Sequence, residues 1–145
     1  MTLRFKKLNP EAIIPKKATK GAAGIDLTAV TEKVELTATG PIVTYGTGLA
    51  VEIPEGFVGL LFPRSSVTTK TTLALGNSVG VIDSDYRGEI ILKYRNTATQ
   101  AGTKYNTGDR VGQLVILQLP VYEVEESSEL SDTTRGDGGF GSTGK

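Results

Sequence analysis

The stretch LAVEIPEGFVGLLF, residues 49–62, decides the fold class. Two aliphatic and β-branched runs, Leu49–Ile53 and Gly56–Phe62, lie on either side of a proline-containing turn. Branched side chains favour strands, whereas Pro and Gly favour the turns between them. Similar runs recur along the chain at spacings of about 8–12 residues, which is typical of a β-sandwich or barrel. We therefore predict an all-β protein with further strands at Leu3–Lys6, Gly24–Ala29, Ile42–Gly46, Gly80–Ile82, Ile90–Tyr94, Val111–Leu119 and Val121–Glu125.

The chain is predicted to form one β-domain followed by an arm. One segment, Arg64–Lys70, is predicted to form a short helix, because its valine and threonines disfavour a longer one. The strand pattern covers residues 1–124 and then stops. Residues 125–145 contain only two large apolar side chains, Leu130 and Phe140. Such a segment cannot bury enough surface to order itself, so we expect a mobile C-terminal arm.

The composition excludes several kinds of chemistry. The chain has no cysteine and no histidine, which rules out disulfides, thiolate metal sites, cysteine nucleophiles and the Ser–His dyad. Acid–base chemistry then falls to Asp, Glu, Lys or Tyr, and a metal should be a hard ion with oxygen ligands, such as Mg²⁺. Lys+Arg and Asp+Glu both number 16, so the net charge is zero. The chain therefore lacks the broad positive field expected of a protein that binds nucleic acid directly. Neither a signal peptide nor a membrane-spanning run is recognisable, and a cytoplasmic location is expected.

The C-terminal sequence RGDGGFGSTG, residues 135–144, has features that a plain linker lacks. Its glycines would let backbone N–H groups approach a phosphate chain closely. Arg135 could pair with a phosphate, and Phe140 could stack on a base. No Walker lysine follows, and a disordered chain end is the ordinary alternative.

Two further segments place polar groups beside strand-like runs. In AAGIDLTAV, Asp26 interrupts an apolar run, which indicates either a turn-capping acid at a strand edge or a functional carboxylate. In FPRSSVTTK, the residues Arg64, Ser65 and Ser66 could form an anion site at the start of a short helix. A simple helix N-cap is the alternative for the two serines.

The most informative segment is GVIDSDYRGE, which begins at Gly80. Its apolar run leads directly into Asp83 and Asp85, and Tyr86 and Arg87 follow. A turn with an ion pair between Asp85 and Arg87 explains part of the pattern. Such a turn does not explain why an apolar strand-like run leads directly into Asp83. A carboxylate in that position can serve as a general base.

These segments, together with GDRVGQLVI at residues 108–116, resemble in order and spacing the five motifs of the trimeric dUTPase family. The resemblance covers about residues 22–144, and GVIDSDYRG and RGDGGFGSTG are its most specific parts. It implies a jelly-roll fold (a β-clip) that assembles as a homotrimer. It also implies active sites at subunit interfaces, each closed by the C-terminal arm of a neighbouring subunit. The implied reaction is Mg²⁺-dependent hydrolysis of dUTP to dUMP and pyrophosphate, which limits uracil incorporation into DNA and supplies dUMP for dTMP synthesis.

The resemblance assigns nucleoside binding and water activation to the third motif. Asp83 corresponds to the residue that orients and deprotonates the water attacking the α-phosphate. Tyr86 corresponds to the residue whose ring packs beneath the deoxyribose and would clash with a 2′-hydroxyl. Asn77 corresponds to a uracil reader, because an amide offers both a donor and an acceptor. The backbone groups that complete the uracil pocket belong to Gly80, Val81 and Ile82.

The resemblance also assigns the phosphate contacts. Arg64, Ser65 and Ser66 match the phosphate-binding motif, and Gln113 matches a glutamine that contacts phosphate and water. Asp26 matches the acid that holds Mg²⁺ through water, with the metal bound mostly to the triphosphate. The arm residues expected to grip the γ-phosphate or cover uracil are Arg135, Gly138, Gly139, Phe140, Gly141 and Ser142.

Two alternatives remain open. A dCTP deaminase resembles this fold and carries a similar RSS-type motif, but it needs a glutamate base beside the pyrimidine and lacks the DSDYRG arrangement. A regulatory switch that binds a protein partner under control of nucleotide is the other alternative, with VTTKTT at residues 67–72 as a candidate surface. The chain departs from the family pattern at four places. Ile25 stands where the family often has an aromatic residue or leucine, and residues 66–72 replace a shorter continuation of the phosphate-binding motif. Gly112 replaces a commoner alanine, and Asp137 adds a negative charge to the arm.

Overall fold

The computed structural model describes residues 1–98 and 102–139. This part of the chain contains ten strands and one short helix. In chain order the elements are β1 (Arg4–Lys7), β2 (Gly24–Thr28), β3 (Thr31–Thr37), β4 (Gly40–Gly46), β5 (Leu49–Glu52), β6 (Phe57–Phe62), α1 (Val67–Lys70), β7 (Leu73–Leu75), β8 (Gly80–Ile82), β9 (Ile91–Asn96) and β10 (Arg110–Gln118). The predicted all-β class is confirmed.

Two four-stranded antiparallel sheets form the body of the fold. One sheet has the strand order β2-β10-β6-β8, and the other has the order β3-β4-β9-β7. From β6 onward, successive strands alternate between the two sheets, as expected for a jelly roll. β1 pairs with β5 in a separate two-stranded ribbon.

The buried side chains of both sheets pack into one core. Leu27 and Leu114 of the first sheet and Leu92 of the second are at most 1% exposed. Burial of such side chains is the main favourable contribution to folding. The core therefore fixes β2, β10 and β9 relative to one another.

Three tyrosines form an edge-to-face cluster in this core. The rings of Tyr45, Tyr94 and Tyr105 have centroids 6.0–6.5 Å apart. The Tyr45 hydroxyl donates to the carbonyl oxygen of Tyr105 at 2.9 Å, and the Tyr94 hydroxyl donates to that of Val111 at 2.6 Å. Burial raises the pKa of both Tyr45 and Tyr94 well above the usual range of a phenol. The cluster links the strands of one sheet to the loop that precedes β10.

Two strands, β3 and β7, were not predicted from the sequence. β3 has mostly exposed side chains, and Glu32, Lys33 and Glu35 break up any aliphatic run. It is an edge strand, and charged side chains at an edge discourage pairing with other chains. β7 has only three residues, which is too short to produce a pattern.

The predicted strand Val121–Glu125 is wrong, because these residues form no strand. β10 ends at Gln118 and is already paired on both sides, with β2 and with β6. Pro120 then offers no N–H group to a strand ladder. Residues 119–137 are all exposed and contain no strand or helix.

No helix in the described ranges is both long and apolar enough to cross a membrane.

Candidate active site

A row of side chains crosses the sheet at the end of β6. Asp26 on β2 lies opposite Gln113 on β10, and Gln113 lies opposite Phe62 on β6. The side-chain amide of Gln113 donates to the carbonyl oxygen of Pro63 at 3.0 Å. This hydrogen bond ties the segment leaving β6 to β10. Arg64 therefore emerges beside Asp26 and Gln113.

The carboxylate of Asp26 lies between two guanidinium groups. Its Oδ1 accepts a hydrogen bond from Arg64 Nε at 3.1 Å, and its Oδ2 accepts one from Arg110 Nη1 at 3.0 Å. The side chains of Asp26 and Arg64 are 25% and 26% exposed, whereas that of Arg110 is 56% exposed. Arg110 was not among the predicted site residues. The signal that could have found it is a guanidinium three residues before Gln113, within the same motif.

A β-bulge directs Arg110 toward this cluster. The pairing of β10 with β2 shifts between Arg110 and Gly112. Val111 and Gly112 are both buried, whereas in a regular strand one of two successive residues would face outward. The extra residue places Arg110 on the same face of β10 as Gln113.

A cavity of about 250 Å³ opens beside the two guanidinium groups. The hydroxyl of Ser66 lies 3.4 Å from Arg64 Nη1 and 3.4 Å from the hydroxyl of Tyr105, and Ser65 is exposed. Cationic and hydroxyl donors of this kind suit an anion. The residues that line the cavity are Arg64, Ser66, Lys70, Tyr105, Gly108, Asp109 and Arg110.

α1 is shorter than predicted. The helix begins at Val67, and residues 64–66 precede it without helical structure. The prediction of a helix is therefore wrong for residues 64–66. Ser66 is the N-cap residue, but its side chain makes no capping hydrogen bond. The Thr71 hydroxyl bonds back to the carbonyl oxygen of Val67 at 2.6 Å, and Thr71 itself is extended. Threonines that bond to the backbone in this way compete with helix continuation.

A second group of predicted residues lies around β8. Asn77 is exposed in the turn that leads to β8, where the N–H of Val79 donates to the carbonyl oxygen of Asn77 at 2.6 Å. Ser78 has a φ of 62°, a left-handed conformation that is uncommon for a residue with a side chain. Within β8, Gly80 and Ile82 are buried and Val81 is exposed. The backbone around Asn77 is thus fixed by a tight turn.

Asp83 and Tyr86 are held in one turn directly after β8. The N–H of Tyr86 donates to the carbonyl oxygen of Asp83 at 3.1 Å, and Asp83 itself is exposed. The Tyr86 hydroxyl donates to the carbonyl oxygen of Glu89 at 3.2 Å, which lays the ring across Gly88. A Cβ atom at Gly88 would overlap the Tyr86 ring, so a larger residue there would have to displace the ring from this position. A cavity of about 210 Å³ is lined by Val81, Ile82, Asp83, Tyr86, Glu89 and Ile91.

The expected ion pair between Asp85 and Arg87 is absent. Arg87 Nη1 instead donates to the carbonyl oxygens of Ser84 at 2.6 Å and of Tyr86 at 2.9 Å. The guanidinium therefore supports the backbone of the turn that carries Asp83. Asp85 is left exposed to solvent.

The two groups lie far apart on one chain. β2 and β8 are the edge strands of their sheet, with β10 and β6 between them, which separates them by about 14 Å. Along the strands, Asp26 is level with Phe62, whereas Ile82 is level with Gly59 and Asp83 follows Ile82. This offset along the strands separates the two residues by about 13 Å, at right angles to the spacing between the edge strands. Asp26 and Asp83 are therefore about 20 Å apart.

The family model described as dUTPase matches residues 10–144 of this chain. The chain belongs to the dUTPase family. It is 43% identical to the deoxyuridine 5′-triphosphate nucleotidohydrolase of Corynebacterium glutamicum over 143 residues, covering 99% of this chain and 95% of that protein. It is also 43% identical to the protein of that name from Nautilia profundicola, over the full length of both.

Solved structures of dUTPases share the fold. The dUTPase of Staphylococcus bacteriophage 80alpha with dUPNHPP superposes with a TM-score of 0.82 at 30% identity, over 99% of both chains. A mutant dUTPase from phage phi11 of S. aureus, described in connection with the coordination of a structural Mg(II) ion, gives a TM-score of 0.74 at 30% identity over 89% of this chain and 98% of that one.

The arm of this dUTPase-family chain is described as far as residue 139. Arg135 Nε donates to the carbonyl oxygen of Gly138 at 2.8 Å, and Gly136 has a φ of 53°. Arg135 is exposed, and Gly138 and Gly139 are partly buried. The predicted arm residues Phe140, Gly141 and Ser142 lie outside the described residues.

The dUTPase-family residues present here suit Mg²⁺ through an outer contact. Across residues 1–98 and 102–139, no group of three or more acidic side chains could hold a metal ion. Both carboxylate oxygens of Asp26 already accept hydrogen bonds from guanidinium groups, so a directly bound metal ion would lie beside two positive charges. Each oxygen retains a lone pair for a metal-bound water. This arrangement fits a Mg²⁺ ion that is carried by a triphosphate and contacted through water.

Proposed function

We propose that this chain hydrolyses dUTP to dUMP and pyrophosphate by attack of water on the α-phosphorus. The observation that carries the proposal is Asp83, an exposed carboxylate that shares a turn and a cavity with the Tyr86 ring in a dUTPase-family chain. In a chain without histidine, a carboxylate at this position can serve as the general base.

In the proposed reaction, Asp83 orients the water and takes one of its protons as the water oxygen bonds to the α-phosphorus. The bond between that phosphorus and the oxygen bridging to the β-phosphate breaks, and pyrophosphate leaves with the bond electrons. Mg²⁺ on the triphosphate neutralises charge and helps to orient the α-phosphorus for in-line attack. The bond from Tyr86 N–H to the carbonyl oxygen of Asp83 fixes the base relative to the sugar site.

Nucleoside selection is proposed to depend on the turns on either side of β8. The Asn77 amide and the backbone of Gly80, Val81 and Ile82 read the uracil edge, since a site with fixed donors and acceptors rejects a base that cannot match them. The Tyr86 ring covers the deoxyribose and leaves no room for a 2′-hydroxyl. Gly88 supports this role because a Cβ atom at that position would displace the ring.

Phosphate binding is proposed to use the cluster at the other edge of the sheet. Arg64, Ser65 and Ser66 hold the phosphates, and Gln113 contacts phosphate and water. The residues of the arm that grip the γ-phosphate or cover uracil are proposed to be Arg135, Gly138, Gly139, Phe140, Gly141 and Ser142. Asp26 contacts Mg²⁺ through water.

The active site is proposed to be shared between the subunits of a homotrimer. Arg64, beside Asp26, cannot serve the same α-phosphate as Asp83 across about 20 Å of one chain, because a phosphate contact spans only about 3 Å. A neighbouring subunit must then bring its phosphate cluster to Asp83. We propose a β-domain at 1–124 and an arm at 125–145. The stretch of about 15 residues from Val124 toward Phe140 can reach roughly 50 Å, enough to cross to a neighbour.

Pyrophosphate release from dUTP, dCTP, dTTP and UTP in Mg²⁺ buffer tests the proposed reaction. We expect release from dUTP alone, and its loss in Asp83→Asn, because an amide cannot take the water's proton. Asp85→Asn is the matched control, since it removes an exposed carboxylate from the same turn. Equal turnover of Asp83→Asn and wild type would refute the role of Asp83. Absence of turnover with every nucleotide would refute the reaction itself.

A further inference from the structure

We propose that Glu89 is a positioning residue for the selection of deoxyribose, because its side chain anchors the backbone on which the Tyr86 ring lies. The proposal rests on the proposed function of that ring, and it names the residue that keeps the ring in place. Three features carry it: the backbone beneath the ring, the hydrogen bond from Gly48 to the Glu89 carboxylate, and the fixed position of Gly48 itself.

Residues 88–90 form a floor beneath the Tyr86 ring. A Cβ atom at Gly88 would overlap ring atoms of Tyr86, so the ring lies directly on this backbone. The Tyr86 hydroxyl extends along the same segment and donates to the carbonyl oxygen of Glu89 at 3.2 Å. Tyr86 is 44% exposed, so the floor is a main support of the ring. The position of the ring in the cavity that it shares with Asp83 therefore depends on where the floor lies.

The Glu89 side chain ties this floor to the corner between β4 and β5. Its Oε1 accepts a hydrogen bond from the N–H of Gly48 at 2.7 Å, although the two residues are 41 positions apart in the chain. Gly48 is buried, and a buried N–H group without an acceptor is costly. A carboxylate is a stronger acceptor for such a group than a neutral oxygen. The contact therefore holds the middle of the floor against a distant part of the fold.

The corner that receives Glu89 is itself fixed. Gly48 has a φ of 65°, a conformation that favours glycine. A Cβ atom there would lie 2.7 Å from Asn9 Cβ and 2.9 Å from Val30 Cγ2, so the surroundings are tightly packed. The carbonyl oxygen of Gly48 accepts a hydrogen bond from the N–H of Leu8 at 2.7 Å. Both polar groups of Gly48 are thus engaged, and the corner is a firm anchor for the floor.

Thr47 and Leu49 hold the end of the floor independently of Glu89. Thr47 is 0% exposed, and its hydroxyl donates to the carbonyl oxygen of Ile90 at 2.8 Å. The N–H of Ile90 donates to the carbonyl oxygen of Leu49 at 2.8 Å. Because these bonds remain when the Glu89 side chain is removed, we expect its loss to shift the floor and leave the domain folded. Variants of Glu89 therefore report on the position of the ring.

Steady-state release of pyrophosphate from dUTP and UTP tests the proposal, at enzyme concentrations high enough to follow UTP. We expect Glu89→Ala to lower the ratio of kcat/KM for dUTP to kcat/KM for UTP by about tenfold, since a shift of about 1 Å in a positioning contact can cost about a hundredfold. The value of kcat/KM for UTP itself should rise, because a displaced ring makes room for the 2′-hydroxyl. Glu89→Gln should keep most of the ratio, since its amide oxygen can still accept the Gly48 N–H.

Two comparisons separate positioning from loss of stability. A variant that only unfolds more readily loses activity toward dUTP and UTP by the same factor, so its ratio stays constant. Glu32→Ala is the matched control, because Glu32 is also a partly buried glutamate and pairs with Lys104 away from the floor. Adding Glu89→Ala to Tyr86→Ala should not change the ratio further, because the ring through which Glu89 acts is then absent.

The role of Glu89 is overturned if Glu89→Ala lowers kcat/KM for both nucleotides equally, or if it lowers the ratio further in the Tyr86→Ala background. Either result leaves the proposed role of Tyr86 intact as long as Tyr86→Ala alone relaxes the preference for dUTP. An unchanged ratio in Tyr86→Ala would refute the role of the ring and the role of Glu89 with it. Failure of the proposed reaction would instead appear as wild type that releases no pyrophosphate from dUTP.

Discussion

Gly112 packs so closely against the opposite sheet that a single methyl group should destabilise the protein. A Cβ atom at this position would overlap Leu92 Cδ2 and lie 3.1 Å from the carbonyl oxygen of Phe62. Leu92 is only 1% exposed, so it has little room to move. Forcing one extra carbon into such a site costs about 1–3 kcal/mol. For a chain of this size the corresponding fall in melting temperature is about 3–12 °C.

Thermal unfolding of Gly112→Ala, followed by circular dichroism, measures this effect. Gly21→Ala is the matched control, because a Cβ atom at Gly21 meets nothing within 4 Å. Leu92→Val should be less harmful in the Gly112→Ala background than in wild type, with a coupling energy of about 1 kcal/mol. We also expect lower dUTP turnover, because Gln113 follows directly on the displaced strand. An unchanged melting temperature for Gly112→Ala would refute the packing argument.

Three further predictions follow from the site and the core. Tyr86→Ala should relax the preference for dUTP over UTP, whereas Tyr86→Phe should keep the preference because the ring is retained. Steady-state kinetics with both nucleotides measures this, and an unchanged preference in Tyr86→Ala would contradict the role of the ring. Removal of residues 134–145 should leave a folded trimer with little activity, measured by light scattering and pyrophosphate release, and dissociation would show that the arm is structural. Burial raises the pKa of Tyr45 and Tyr94 in the folded state above the value of 10.0 that applies in the unfolded chain. Their contribution to the free energy of unfolding is therefore complete below pH 10.0 and is lost as the pH rises above it. The loss is about 1.4 kcal/mol per pH unit for each tyrosine. Chemical unfolding between pH 8 and 11 should show this decline beginning near pH 10, and flat stability up to pH 11 would exclude it.

The all-β class was predictable because aliphatic runs such as Leu49–Ile53 are bounded by turn residues. β3 was missed because its exposed edge position allows charged side chains, which remove the hydrophobic signal. Val121–Glu125 was wrongly predicted because its valines favour a strand, while a strand also needs a partner, and β10 has no free edge. The local sequence pattern indicates which residues favour a strand, but it does not indicate which sheet edges are free to pair with that strand.

The sequence motifs allowed candidate site residues to be predicted, but not the directions in which all their side chains point. The turn carrying Asp83 and Tyr86 and the strand position of Gln113 follow from the sequence order. Arg110 was missed because its direction depends on a bulge in β10, and the sequence of a strand does not reveal a register shift against its neighbour. The two-sided contact of Asp26 was missed for the same reason.

The central claim is that Asp83 of one subunit acts on a substrate whose phosphates are held by Arg64 of another. Mixing two inactive variants, Asp83→Asn and Arg64→Ala, by co-refolding at equal amounts tests this most directly. In trimers assembled at random from equal amounts of the two variants, a site with intact Asp83 from one chain and intact Arg64 from its neighbour forms in about a quarter of cases. The account therefore predicts recovery of about a quarter of wild-type dUTP turnover. No recovery in verified mixed trimers would contradict it, because both residues would then have to come from the same chain.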